Sequence, residues 1–262
     1  MEKRIYLICI VLFVSILGVD AQKVISPDDS TSWKLVWSDE FDYQDRDELL
    51  LVWEAQNTSN NHILCSRWED NIEVVDGTVR LINRKEKRGG QEWTSGSMWT
   101  RRNFKYGYFE CKYRYAGETG TNNSFWLMTR PTDPEPKQGK RFEIDINEGH
   151  YPDEVNTNIH NWSDNYIDSD GNSKHPTSHK SHIYPFINFS QEFHLFGLEW
   201  TEKEIIFYLN RKEIRRVKND FCFSPAPVML SLAIINWAGE VTDKIDQTFM
   251  EIDYVRIYKN KN

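Results

Sequence analysis

Apolar and polar positions alternate with period two along most of the chain. Phe109, Cys111, Tyr113 and Tyr115 interleave with Tyr108, Glu110, Lys112 and Arg114, the pattern of a strand with one buried face. Phe196, Leu198 and Trp200 interleave with Gly197 and Glu199 in the same way. The run from Ile72 to Ile82 has Asp76-Gly77 at its centre, a strong two-residue hairpin signal. Ile205 to Leu209 and Ile214 to Val217 flank Asn210-Arg211-Lys212, which predicts a second hairpin. Pro225-Ala226-Pro227 precedes an apolar strand from Val228 to Ile235, and a last strand runs from Met250 to Tyr258. After the first twenty or so residues no helical period is sustained, and neither a repeat nor a linker appears. Many strands joined by short turns predict an all-β domain of two packed antiparallel sheets. Thr129 to Lys140 and Asn161 to Ser181 carry little strand signal and are expected to form loops at the rim of a cleft.

The first residues follow another rule. Lys3 and Arg4 precede an apolar run from Ile5 to Val19, and Val19-Asp20-Ala21 has the character of a cleavage site. Residues 1–21 therefore read as a secretory signal peptide, with Gln22 as the mature start. The run is about 15 residues, short of the roughly 20 needed to span a bilayer. No membrane span is expected once it is removed, and the protein is expected to be secreted or periplasmic. Cys9 lies in this run without the context of a lipid-attachment site.

The net charge of −8 survives cleavage, because Lys3 and Arg4 leave together with Glu2 and Asp20. Acidity on this scale argues against nucleic acid as a partner. Residues 22–262 suit one large domain with a real core. Cys65, Cys111 and Cys222 remain, too few for a disulfide scaffold and without zinc spacing. Cys111, among strand residues, reads as a small buried apolar group.

The string Glu143-Ile144-Asp145-Ile146-Asn147-Glu148 sets three carboxylates in an apolar frame. On a strand Glu143 and Asp145 share a face, and Glu148, three further on, would point away. A one-residue bulge between Asp145 and Glu148 would bring it back. Three acids so placed cannot all ionise freely, and at least one pKa is expected to rise. A raised acid beside an ionised carboxylate is the requirement of glycoside hydrolysis.

These residues resemble the E-x-D-x-x-E signature of glycoside hydrolase family 16. The similarity continues through "WKLVWSDEFD" (Trp33 to Asp42), "WTSGSMWTRRNFKYGYFECKYRY" (Trp93 to Tyr115), "NNSFWLM" (Asn122 to Met128), "VNTNIHNW" (Val155 to Trp162) and "EIDYVRIY" (Glu251 to Tyr258). The resemblance implies a jelly-roll β-sandwich with a concave polysaccharide cleft and endo-acting hydrolysis with retention of configuration. By the same resemblance Glu143 is the nucleophile, Glu148 the acid/base and Asp145 the residue that tunes both. Retention needs the two carboxyl groups about 5–5.5 Å apart, which a straight strand cannot supply.

Trp126 stands where the family places an aromatic platform, and alternation sets it opposite Phe125 and Leu127, away from the core. Trp68, Trp93, Trp99, Trp162 and Trp237 are further candidates for sugar stacking, some of them expected in the core. His160 matches a family histidine near the leaving-group side. His150 shares the face of Glu148 or serves as a structural hydrogen-bonding group. His175, His179 and His182 read as a solvated loop rather than a metal site, for want of carboxylate or cysteine support. No cofactor is required, though some relatives hold a structural calcium where Glu40 and Asp253 fall. The partner is a polysaccharide, and the protein is expected to be a monomer.

For the polymer, the extra residue in the signature counts against the xyloglucan-type members. "NNSFWLM", "VNTNIH" and "SRWEDNIEVVDGTVRL" (Ser66 to Leu81) look more like the agarase, porphyranase and carrageenase branch than the laminarinase branch. Arg84, Lys85, Lys87, Arg88, Arg101, Arg102, Lys137, Lys140 and Arg141 form basic clusters that suit sulfate esters or simply make a solvated charged face. Arg67 is expected beside a subsite. The leading expectation is an endo-β-galactanase of agar or porphyran type. The alternatives are an endo-β-1,3-glucanase (laminarinase), a mucin-type β-galactoside hydrolase and a non-catalytic carbohydrate-binding jelly roll.

Overall fold

The computed structural model describes residues 24–261 apart from 29, 60–61, 131 and 134–135. The signal peptide assigned to residues 1–21, the mature start at Gln22 and Cys9 lie outside the described residues.

Two antiparallel sheets pack face to face as a jelly-roll sandwich. Seven strands make the sheet that carries the acid row: β1 (Trp53–Ala55), β2 (Ser97–Phe104), β3 (Thr121–Met128), β4 (Phe142–His150), β5 (Glu154–Asn161), β6 (Thr177–Ile183) and β7 (Ala226–Ile234). Their spatial order is β6-β5-β4-β3-β7-β2-β1. The second sheet has eight strands. Gly107–Arg114 and Phe249–Asn260 lie at its centre, and Trp33–Asp39 pairs with Phe249–Asn260.

The inner faces meet in one large core that includes Phe109, Phe125, Leu127, Phe142, Ile144, Phe196, Leu198, Trp200, Leu230 and Val255, all 0–1% exposed. Phe125 and Leu127 point inward while Trp126 between them does not, as the alternation predicts. Burying one such side chain contributes about 1.5–3 kcal/mol, so the alternation itself fixes which face of β3 and β4 is left for chemistry. Both predicted hairpins form. Their two-residue turns have positive φ at Asp76 (47°) and Gly77 (77°), and at Asn210 (48°) and Arg211 (64°), the twist that suits antiparallel strands.

Three expectations are corrected. A seven-residue helix, Arg46–Val52, occurs where no helical period was evident; Asp45 caps it by accepting from Glu48 N. Asn161 to Ser181 is not a plain loop, since it holds a small hairpin (Tyr166–Ile167 with Ser173–Lys174) and then β6. β6 escapes a pattern search because nearly all of it is exposed and polar. Calcium at Glu40 and Asp253 does not fit. Arg256 holds Glu40 through two hydrogen bonds, and Lys112 pairs with Asp253, so both charges are already met. Cys65, Cys111 and Cys222 are free and buried, leaving no disulfide among them. No helix among the described residues is long and apolar enough to cross a membrane.

Candidate active site

The acid row lies on the outward face of β4, near the middle of its sheet. In the ladder with β5, Asp145 faces Asn158 and Glu148 faces Asn156, so three steps on β4 match two on β5. The ladder with β3 shows the same extra residue: Asp145 faces Trp126 and Glu148 faces Ser124. This is the bulge that the spacing requires. Its cause lies on the other face, where Ile146 and Asn147 both point into the core, 2% and 0% exposed. Asn147 Nδ2 donates to Tyr113 Oη (2.5 Å) and Tyr115 Oη (2.7 Å), which come from the opposite sheet. A buried amide is costly without partners, so the two tyrosines hold the bulge in place.

Each acid has its own partners. Glu148 accepts from Asn122 Nδ2 at 2.7 Å on Oε1 and from Asn158 Nδ2 at 2.6 Å on Oε2. Glu143 accepts from Trp162 Nε1 at 3.0 Å. Asp145 is 2% exposed and contacts His160 Nε2 at 3.1 Å. Burial pushes the Glu143 carboxyl well above the ordinary range, and the charge of Asp145 pushes it further; His160 and the Trp162 N–H pull the other way. Burial raises Asp145 as well, with the charge of Glu148 as the next cause. The expected rise thus falls on Glu143 and Asp145. Crowded carboxyls of this kind share protons.

The row is extended sideways by the sheet. From Asp145 the register continues through Trp126 and Met229 to Trp99; from Glu148 it continues through Ser124 and Ser231 to Ser97. Two tryptophans flanking a methionine, beside a hydroxyl row, suit the floor of a cleft for sugar rings, which offer an apolar face and a polar edge.

The predicted binding residues divide. Trp126 is half-buried on the acid face, with Nε1 donating to Ser231 Oγ at 3.1 Å. Trp162 is at the site through Glu143 and stacks on His175, ring centroids 3.7 Å apart. Trp99 lies on the floor with the Arg130 guanidinium 5.3 Å from its ring. His160 faces Glu143 in the ladder and bonds to Asp145; it does not accompany Glu148. Trp68 is half-buried, donates to Ser66 Oγ and carries the Arg88 guanidinium on its ring at 4.1 Å. Trp237 is 60% exposed on a short turn.

Two assignments fail. Trp93 is 8% exposed and packs in a satellite core with Ile63, Cys65 and Ile234, so it offers no face to a sugar. Arg67 is 7% exposed, and its Nη1 donates to Gly96 O. Desolvation lowers its pKa, and it is a buried group rather than an open subsite arginine. His150 braces Glu154 at 3.3 Å, a structural role.

Sequence reasoning passed over Asn122, Asn158 and Asn156. All three stand at alternate positions with Trp126 or His160 in their strands, so strict period-two reading would have found them. It also missed His62, close enough to Arg67 and Glu148 to feel both charges, and the links of His175 and His179 to the site.

Comparison with known proteins identifies the family. The family model described as "Glycosyl hydrolases family 16" matches residues 57–256. A β-glucanase of Rhodothermus marinus is 27% identical over 99% of this chain and 95% of its own length. The solved laminarinase of Rhodothermus marinus superposes with a TM-score of 0.71 at 26% identity, covering 88% of this chain and 98% of that one. A mutant of SCLam, a non-specific endo-β-1,3(4)-glucanase, gives a TM-score of 0.75 at 25% identity over 91% and 98% of the two chains.

Proposed function

The chain belongs to glycosyl hydrolases family 16, and from that premise we propose that it is an endo-acting, retaining hydrolase of β-1,3- or mixed-linkage β-1,3(4)-glucan. The observation that carries the reaction class is the bulged row of Glu143, Asp145 and Glu148, three carboxyls on one face above a floor of tryptophan and serine.

In this reading Glu148 protonates the departing glycosidic oxygen, while Asn122 and Asn158 fix the plane of its carboxyl. Glu143 attacks the anomeric carbon as the leaving group departs and forms a covalent glycosyl-enzyme; Glu148 then takes a proton from a water whose oxygen attacks the anomeric carbon, breaking its bond to Glu143 and freeing that carboxylate. Carboxylate oxygens of Glu143 and Asp145 lie within 4.8 Å of one another, and one proton shared between them serves both. With that proton on Asp145, Glu143 is the free nucleophile, oriented by Trp162. As positive charge develops on the sugar, the ionised Glu143 and the charge left on Glu148 as its proton departs stabilise it.

The glucan assignment is supported by the names of the relatives, a β-glucanase, a laminarinase and an endo-β-1,3(4)-glucanase. The galactan expectation has no counterpart among them. Its physical support also weakens, because the basic clusters are largely ion-paired: Arg84 with Glu73, Lys85 with Asp243, Arg88 with Asp70 and Lys140 with Asp164. Residues 1–21 keep their reading as a signal peptide, since a polymer of this kind is met outside the cytoplasm; N-terminal sequencing of exported protein should begin at Gln22.

The test is incubation with laminarin, barley β-glucan, agarose, porphyran, carrageenan and mucin glycans, with reducing ends and the anomer first formed as readouts. New ends of β configuration from a glucan are expected. Ends from a galactan alone would overturn the substrate, and binding without new ends from any polymer would overturn the enzyme.

A further inference from the structure

Behind the acid row the edge strand β6 supplies a second line of contacts. Register sets Asp145 opposite Asn158, and Asn158 opposite His179. Asn158 Nδ2 donates to Glu148 Oε2 at 2.6 Å. Its Oδ1 lies 2.5 Å from His179 Nδ1. An amide has one donating end and one accepting end. With Nδ2 committed to the Glu148 carboxylate, Oδ1 calls for a donor, and an imidazole supplies one at Nδ1 either as the imidazolium or as the Nδ1–H tautomer. Turned over, Asn158 would aim its oxygen at the oxygens of Glu148, acceptor against acceptor. The neighbouring positions of β6 make similar links: Thr177 Oγ1 is 2.8 Å from His160 Nδ1, and Ser181 donates to Glu154 at 2.6 Å.

We propose that His179 is a positioning residue for the hydrolytic reaction: its Nδ1–H holds the Asn158 amide with the donating end toward Glu148. The proposal rests on Glu148 as the acid/base. Two strand spacings, about 9–10 Å, separate β6 from β4, so His179 acts through Asn158 rather than on the sugar.

Two substitutions of similar shape separate this role from a merely structural one. His179→Asn puts an Nδ2–H close to the position of the imidazole Nδ1–H. His179→Leu has the same branching and no donor. The side chain is exposed on an edge strand, so both variants should fold, which melting curves check. His179→Asn should stay within about threefold of wild type, while His179→Leu should lose about 10–100-fold in kcat with KM little changed. In an Asn158→Leu background the leucine at 179 should cost nothing more, because the group it orients is gone. Equal losses in the two variants, an unchanged kcat for His179→Leu, or a loss that persists without Asn158 would each overturn the proposal. A wild type that cleaves no β-glycan overturns the acid/base reading and this proposal with it; an active wild type with an indifferent His179→Leu overturns this proposal alone.

Discussion

Replacing Glu143 with glutamine should stabilise the protein as it abolishes turnover, and the size of the gain should depend on pH. Burial and the charge of Asp145 raise the Glu143 carboxyl above its ordinary value. Between the unfolded and folded pKa the native state holds a proton that the unfolded chain has released. Stability then falls as pH rises, by up to 2.303RT, about 1.4 kcal/mol, for each pH unit. The loss begins near pH 4.5, where an unfolded glutamate titrates, and ends once pH passes the folded pKa. Glutamine keeps the shape and accepts the Trp162 N–H through its own carbonyl, but it has no proton to lose. In a chain of this size 1 kcal/mol moves Tm by about 2–4 °C.

The assay is thermal unfolding of wild type and Glu143→Gln in parallel from pH 4 to pH 7. The two should melt together near pH 4 and separate by about 2–4 °C on going from pH 4.5 to 5.5, with the variant the more stable. Turnover of the best polymer should fall by about 10⁴-fold or more. Comparing the variant with wild type cancels the titration of groups remote from the row, while Asp145, which feels Glu143, responds together with it. A difference in Tm that stays constant across the range, or a variant less stable at neutral pH, would refute the claim that Glu143 is charge-strained.

Replacing Asp39 should destabilise the protein instead. Asp39 is 6% exposed and accepts from Trp53 Nε1 (2.6 Å), Tyr43 Oη (2.7 Å) and Phe41 N (2.9 Å), so Asp39→Ala strands three donors and should cost about 2–4 kcal/mol in a denaturant melt. Gly149 faces Tyr115 so closely that an added Cβ would lie 2.1 Å from the ring, and Tyr115 helps to hold Asn147 in the bulge. Gly149→Ala should therefore lose about 1–3 kcal/mol and lower kcat at a temperature where the variant is still folded; full activity there would separate the bulge from the chemistry.

What the sequence disclosed follows from where burial is one-sided. Strands such as Gly107–Arg114 and β3 show their period because one face meets the core and the other does not. β6 has no core face, all but one of its side chains are polar, and its backbone ladder is with β5 only, so no local pattern announces it. The helix Arg46–Val52 spans only seven residues, two turns at 3.6 residues each, and a period cannot establish itself over that length. The acid row was legible for a different reason. Its uneven spacing makes chemical sense only if the strand bulges, and the structure shows that bulge. The anchor of the bulge was not legible, because Asn147 reads as another polar residue until Tyr113 and Tyr115 arrive from the other sheet.

The same limit explains Trp93 and Trp162. Both are tryptophans in polar surroundings, yet one packs against Ile63 and Ile234 while the other donates to Glu143. Only the ladder between β4 and β5 tells them apart, since it sets the end of β5 beside Glu143. Charge shows the point most sharply. Asp39 and Asp145 are both aspartates in strands, 6% and 2% exposed. The first is surrounded by donors, among them a tryptophan and a tyrosine. The second shares its face with two other carboxyls and is pushed toward protonation. Burial costs both of them solvation; the neighbours decide that one serves the fold and the other is held in a state the fold alone would not favour.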